Sequence, residues 1–92
     1  MIRRVELSAR AKKQLRKVPR HVADKLLAWV GSVEAKGLEE VRKLPGYHDE
    51  PLKGERQGQR SIRLSRAYRA IYEIAGQDVS FVSVEEVSKH DY

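Results

Sequence analysis

Apolar residues recur along this chain with two different periods, and the change from one to the other divides it. Arg3 to Leu7 carries the alternation RVEL, with Val5 and Leu7 on one side, the period-two signature of a short strand. Ser8 follows as an N-cap, its hydroxyl able to accept from a free amide of a first helical turn. Ala9, Ala11, Leu15 and Val18 then form an apolar stripe, and Arg10, Lys12, Lys13, Arg16 and Lys17 a solvent side. Pro19 ends or kinks that helix, because it lacks the amide and clashes with the preceding turn. A second helix is predicted from Arg20 to Ala35, with Val22, Leu26, Leu27, Trp29, Val30 and Val33 at helical spacing and Lys36-Gly37 as its stop. Trp29 on that stripe is expected in a core or interface, since an aromatic ring carries a large burial area. Leu38 to Leu44 has room for one or two helical turns before the breaker pair Pro45-Gly46.

Tyr47 to Gly58 is polar, punctuated by Pro51, Gly54 and Gly58, and reads as an ordered loop. Beyond it the period becomes two. Arg60 to Leu64 puts Ile62 and Leu64 inward and Ser61 and Arg63 outward, and Ser65 to Ala67 makes a turn. Tyr68 to Ile74 returns with Ala70, Tyr72 and Ile74 on one face and Arg69, Ile71 and Glu73 on the other. Gly76-Gln77-Asp78 makes a second tight turn, Val79 to Val87 a third strand, and Ser88 to Tyr92 a tail. The predicted fold is therefore α+β. An N-terminal strand and a helical hairpin precede an antiparallel three-strand meander, and one sheet packs on the helices. The first strand is expected to join that sheet, because a lone strand leaves its backbone groups unpaired.

Composition narrows the class. With 92 residues the chain is expected to be a single domain, 1–92, and 40% hydrophobic content suffices for one small core. The absence of cysteine excludes disulfides and thiolate metal sites. No apolar run follows the basic start, and none is long enough to cross a bilayer, so a soluble, cytoplasmic protein is expected. The net charge of +6 lies entirely in the first half: residues 1–46 hold twelve Lys/Arg against five Asp/Glu, and residues 47–92 seven against eight. Such a balance attracts nucleic acid, an anionic membrane surface or an acidic protein. It does not choose among them, and a solvated helix surface accounts for any single charge.

Chemistry concentrates between Glu50 and Ile74, EPLKGERQGQRSIRLSRAYRAIYEI. An arginine inside an apolar strand, as at Arg69, is costly unless something anionic meets it. Its forked guanidinium suits a phosphate, and Arg63 lies across the hairpin on the same face. An ion pair from Arg69 to Glu73 or Glu85 would answer the same need. Lys53, in a rigid turn, can neutralise charge developing on a phosphate, or be an ordinary turn lysine. Glu50 can take the proton of a ribose 2′-hydroxyl or simply pair with an arginine. His90 can donate a proton and Tyr92 can stack on a base, although chain ends fray. His48 lies close to Glu50 in sequence with no evident partner. The three histidines and scattered carboxylates lack zinc-site spacing, and Gly54 and Gly58 precede no helix that would complete a phosphate loop.

Together, SARAKKQLRKVP after the opening strand, the paired helices, the block from Glu50 to Ile74 and the closing KHDY resemble the RelE/ParE superfamily of type II toxin–antitoxin toxins over essentially the whole chain. With its candidate catalytic positions filled, the sequence is more similar to the RelE, YoeB and HigB ribonucleases than to the gyrase-poisoning ParE branch. The resemblance implies a RelE-like microbial ribonuclease fold. It implies cleavage of mRNA in the ribosomal A site by attack of a 2′-hydroxyl on the adjacent phosphate, with no metal or other cofactor. It also implies two kinds of partner, a cognate antitoxin encoded next door and the 70S ribosome with its mRNA, and no membrane. By position, Glu50 matches a candidate general base and Lys53 the lysine of the same motif. Arg69 and Arg63 match basic positions of the hairpin, and His90 and Tyr92 a terminal pair for acid catalysis and base stacking. Asp91 between His90 and Tyr92 departs from the family tail, and HigB-like members have a histidine where this chain has Glu50. Two other readings remain: a ParE-like inhibitor of DNA gyrase that needs no catalytic residues, and a basic binding module without activity.

Overall fold

The computed structural model describes residues 1–89. Its elements are β1 (Val5–Leu7), α1 (Ala9–Leu15), α2 (Arg20–Lys36), α3 (Leu38–Arg42), β2 (Glu50–Pro51), β3 (Gln59–Arg63), β4 (Tyr68–Ala75) and β5 (Phe81–Lys89), with 3₁₀ turns at Pro45–Tyr47 and Gly54–Arg56. The sheet order is β1-β5-β4-β3-β2. β3, β4 and β5 form the expected meander, and β1 joins it parallel to β5. The arrangement is the α+β fold expected from the periodicities.

Several details differ from the sequence reading: β5 runs on through Ser88 and Lys89, read as tail, Ile74 near the end of β4 is exposed and not inward, and three others have a local reason. The stretch read as an ordered loop contains β2, a fifth strand, which pairs Glu50 with Ser61 and Pro51 with Arg60. Two residues are too few to show alternation, and the proline is tolerated because β2 is an edge. α1 ends at Leu15, short of Pro19, since Val18 precedes a proline and is excluded from helical geometry. β5 starts at Phe81 and not at Val79, which is exposed in a wider turn. That turn requires Gly76, at φ 98°, where a Cβ would collide with the Val79 carbonyl.

Ser8 is the N-cap, as its sequence position predicts: its Oγ accepts from the Ala11 amide at 3.0 Å and donates to the Glu85 carbonyl at 2.9 Å. α1 thereby lies along the part of β5 that β1 does not reach. Gln14 Oε1 accepts from the Val87 amide at 2.7 Å, satisfying a donor on that edge. Gly37, at φ 91°, ends α2, and the next amide, of Leu38, donates to Ile2 O at 2.8 Å, which ties the chain start to the α2–α3 corner.

The core forms between the helices and one face of the sheet. Val22, Leu26, Trp29 and Val33 of α2 and Leu38 and Val41 of α3 meet Ile62, Ala70, Tyr72, Val82, Val84 and Val87. Trp29 and Tyr72 stack obliquely, with centroids 5.1 Å apart and planes at 44°. The β4–β5 register shifts between Ile71↔Glu86 and Tyr72↔Val84, so Glu85 is an extra residue, a bulge. The bulge resets the alternation. Val84 and Val87 both reach the core although they are three positions apart, and Glu86 is delivered to the opposite face.

Candidate functional site

The face of the sheet turned away from the core carries the polar residues. Its central feature is the β3–β4 hairpin, in which Arg63 stands directly opposite Arg69. The Ser65 hydroxyl locks the turn between them, accepting from the amides of Ala67 and Tyr68, both at 3.2 Å. Like charges facing each other across a hairpin repel. Neither arginine is neutralised: among the described residues no carboxylate forms a salt bridge with Arg63 or Arg69, and Arg69 Nε is buried without a hydrogen-bond partner. The ion pair with Glu73 or Glu85 that would have explained Arg69 structurally is therefore not formed. Glu85 Oε1 instead accepts from the Ser83 hydroxyl at 2.7 Å.

Facing the hairpin, the segment before β3 brings two more groups. His48 sits in the left-handed conformation, φ 46° and ψ 48°, closing the 3₁₀ turn, and its Nε2 is 3.5 Å from Arg63 Nη1. Glu50 pairs with Ser61 and so stands on the same face, one two-residue step, about 7 Å, along from the arginine row. An open cleft of about 400 Å³ lies among these side chains, also walled by Ile62, Ser65, Arg66 and Tyr68. Tyr68 pairs in register with Lys89, the last described residue. Two fork-shaped cations beside a carboxylate and an imidazole form an arrangement that can hold a phosphate and move a proton next to it.

On the core side of this wall lies a buried polar group. Asp49, between His48 and Glu50, has a side chain only 1% exposed, and Arg60 Nε donates to its Oδ1 at 2.6 Å. The Tyr72 hydroxyl donates to Asp49 Oδ2 at 2.6 Å and receives Arg42 Nε at 3.2 Å. Burial and the hydrogen bond to Asp49 push the Tyr72 phenol up to about 12.

A second ionic cluster lies on β5, where Glu86 is in register with Ile71 and, through it, with Ser61. Arg56, from the Gly54–Arg56 turn, reaches over the sheet to Glu86 Oε1 at 3.1 Å, and Arg10 of α1 approaches the same oxygen at 3.6 Å. Burial by itself would raise the Glu86 carboxyl, but Ser88, Arg56 and Arg10 outweigh it and hold the group below its ordinary value of 4.5. A depressed carboxylate stabilises the fold above its unfolded-state value, and that contribution is lost as the pH falls through the folded one. Stability is thus expected to decline below pH 4.5 with a component that Glu86→Gln removes. Urea midpoints measured against pH check this, and an identical acid slope in parent and variant would contradict it.

The family profile described as ParE toxin of type II toxin–antitoxin system, parDE, matches residues 5–90. The chain belongs to this toxin family. It is thus a type II toxin of the RelE/ParE superfamily. Among solved structures, the YoeB/ParE toxin from Agrobacterium tumefaciens superposes with a TM-score of 0.70 at 16% identity, covering 96% of this chain and 99% of that one. The archaeal RelE–RelB complex from Pyrococcus horikoshii OT3 gives 0.70 at 21% identity, with 97% and 96% covered. The RelBE2 toxin–antitoxin complex from Mycobacterium tuberculosis gives 0.59 at 25% identity, with 95% and 96% covered. No curated protein matches the chain.

In this toxin Glu50, Arg63 and Arg69, singled out from sequence, meet in one cleft. Lys53 does not line it: it is exposed and caps the Gly54–Arg56 turn. His90 and Tyr92 lie outside the described residues. The sequence reading gave His48 no partner, and the fold places it beside Arg63. Asp49 was missed altogether, because a lone acid in a polar loop has no periodicity to mark it as buried. No helix is long and apolar enough to cross a membrane among the described residues.

Proposed function

We propose that this toxin is a ribosome-dependent endoribonuclease that cuts mRNA in the A site of the 70S ribosome. One observation carries the reading: the cleft presents two arginines that no carboxylate among the described residues neutralises, one with a buried donor that has no partner among them, facing His48 and Glu50. Arg63 and Arg69 grip the non-bridging oxygens of the scissile phosphate and stabilise the charge that grows on them. Glu50 or His48 accepts the proton of the ribose 2′-hydroxyl. The freed 2′-oxygen attacks phosphorus, the bond from phosphorus to the 5′-oxygen breaks, and the products are a 2′,3′-cyclic phosphate and a 5′-hydroxyl. His90, the residue after Lys89, is the candidate to protonate the leaving oxygen, Tyr92 to stack on a base, and Lys53 to add positive charge to the RNA-facing surface. All of this takes place in the cytoplasm and uses no cofactor.

The partner in the resting state is an antitoxin from the neighbouring gene. The Pyrococcus and Mycobacterium relatives are toxin–antitoxin complexes, and a cleft in which Arg63 and Arg69 form no salt bridge among the described residues suits an acidic covering segment. A second reading, inhibition of DNA gyrase without nuclease activity, is favoured by the ParE description of the matching family. Primer extension on mRNA from a reconstituted translation reaction separates the two. New ends in the presence of ribosomes, absent without them, are the expected result. Intact mRNA together with loss of gyrase supercoiling activity would replace the nuclease reading by the gyrase one.

A further inference from the structure

We propose that the buried Asp49–Tyr72–Arg60 group positions His48 and Glu50 for cleavage from behind the cleft wall, without touching RNA; this rests on the nuclease reading above. A left-handed turn at His48 leads into the edge strand that begins at Glu50. His48 and Glu50 enter the cleft, while Asp49 between them turns to the other side, where its carboxylate receives Arg60 Nε and the Tyr72 hydroxyl, both at 2.6 Å. Its backbone carbonyl also receives Arg60 Nη2, at 3.4 Å. Arg60 and Tyr72 belong to β3 and β4 and face each other in register, one residue along from Ser61 and Ile71 on the cleft side. The anchor is thus bolted to the central strands that carry Arg63 and Arg69.

Besides this group, the wall is held by Tyr47, buried in the core just before His48, and by a few backbone bonds. The segment has the 3₁₀ bond from His48 N to Pro45 O at 3.2 Å, a two-residue edge strand, and the Leu52 amide on Gln59 O at 2.9 Å. His48 is also the one non-glycine residue at positive φ among the described residues, a conformation that persists where its surroundings enforce it. A buried charged group is a poor way to add stability, since apolar packing of the same volume does as well. Its value here is directional: two short charge-assisted bonds set where the peptide between two cleft side chains can sit. A misplacement of the base by 1 Å is enough to cost a large factor in rate.

Tyr72→Phe tests this with the least disturbance, because it keeps the ring that packs on Trp29 and removes the hydroxyl that bonds Asp49, together with its weaker bond from Arg42. With ribosome-bound mRNA under single-turnover conditions, the cleavage rate constant is expected to fall about tenfold to a hundredfold while affinity for the ribosome is unchanged. In a His48→Ala/Glu50→Ala background, Tyr72→Phe should reduce the residual rate no further, as expected of a residue acting through those two. An undiminished rate in Tyr72→Phe, or a full additional loss in that background, would overturn the proposal. Amide exchange on the free protein provides a readout independent of activity. The Leu52 amide should exchange at least about tenfold faster in Tyr72→Phe, while the Gly37 amide at the end of α2 is unaltered. Equal acceleration at both sites would mean general destabilisation and overturn the proposal. A parent protein that fails to cut mRNA would sink the nuclease reading, and the exchange pattern would then decide alone whether the group holds the wall.

Discussion

Arg69→Ala is expected to slow ribosome-dependent mRNA cleavage by about a hundredfold to a thousandfold, the scale of removing a preorganised donor from a developing negative charge. The same change should leave the fold as stable as before, or more so. Arg69 faces Arg63 across the hairpin, and its Nε is buried with no partner among the described residues. Repulsion between facing like charges and an unsatisfied donor both cost stability in the free protein. A residue kept under those conditions is justified by what it binds, and its removal relieves the strain on the sheet. Two measurements decide the matter. Primer extension gives the cleavage rate, and urea unfolding gives the stability. Cleavage at the parental rate would remove Arg69 from the site, and a variant that unfolds more easily than the parent would assign it a structural role.

Trp29→Ala has the largest effect expected on the fold itself. The side chain is fully buried between α2 and the sheet and lies against Tyr72. Truncating a buried tryptophan costs about 3–5 kcal/mol, a large part of the roughly 5–15 kcal/mol that holds a domain of this kind together. The damage is expected to spread to the cleft, because the ring of Tyr72 loses its support while its hydroxyl must still hold Asp49. Trp29→Phe should cost much less. Trp29 Nε1 has no hydrogen-bond partner among the described residues, so phenylalanine sacrifices volume but no bond. As Trp29 is the one tryptophan of the chain, unfolding has to be followed by circular dichroism. Equal losses for the alanine and phenylalanine variants would show that the indole nitrogen contributes, contrary to this expectation.

The residues that make the cleft were legible to different degrees, according to how far each depends on neighbours in sequence. Arg63 and Arg69 were legible because a hairpin with alternating apolar residues permits only one facing, and cross-strand pairing follows from the turn at Ser65. Glu50 was legible as chemistry but not as geometry. Its place on the cleft face comes from pairing with Ser61 in a strand of two residues, too short to leave a periodic trace. His48 acquired its neighbour Arg63 through a left-handed turn. Lys53 was legible as a lysine in a rigid turn that matches the family motif, and the fold places it at the start of the Gly54–Arg56 turn, outside the residues that line the cleft.

Local rules settled much of this protein from the chain alone. Period 3.6 marked the helices and period two the meander, Ser8 and Gly37 marked helix ends, and the burial demand of Trp29 and Tyr72 marked the core, because each of these depends on residues a few positions apart. Tertiary structure alone decided the bulge at Glu85 that turns Glu86 outward, the reach of Arg56 across the sheet, and the burial of Asp49 under Arg60 and Tyr72. Those contacts join positions 11 to 30 residues apart or answer to a strand register. Their energy depends on desolvation and direction, which exist only once the sheet has formed.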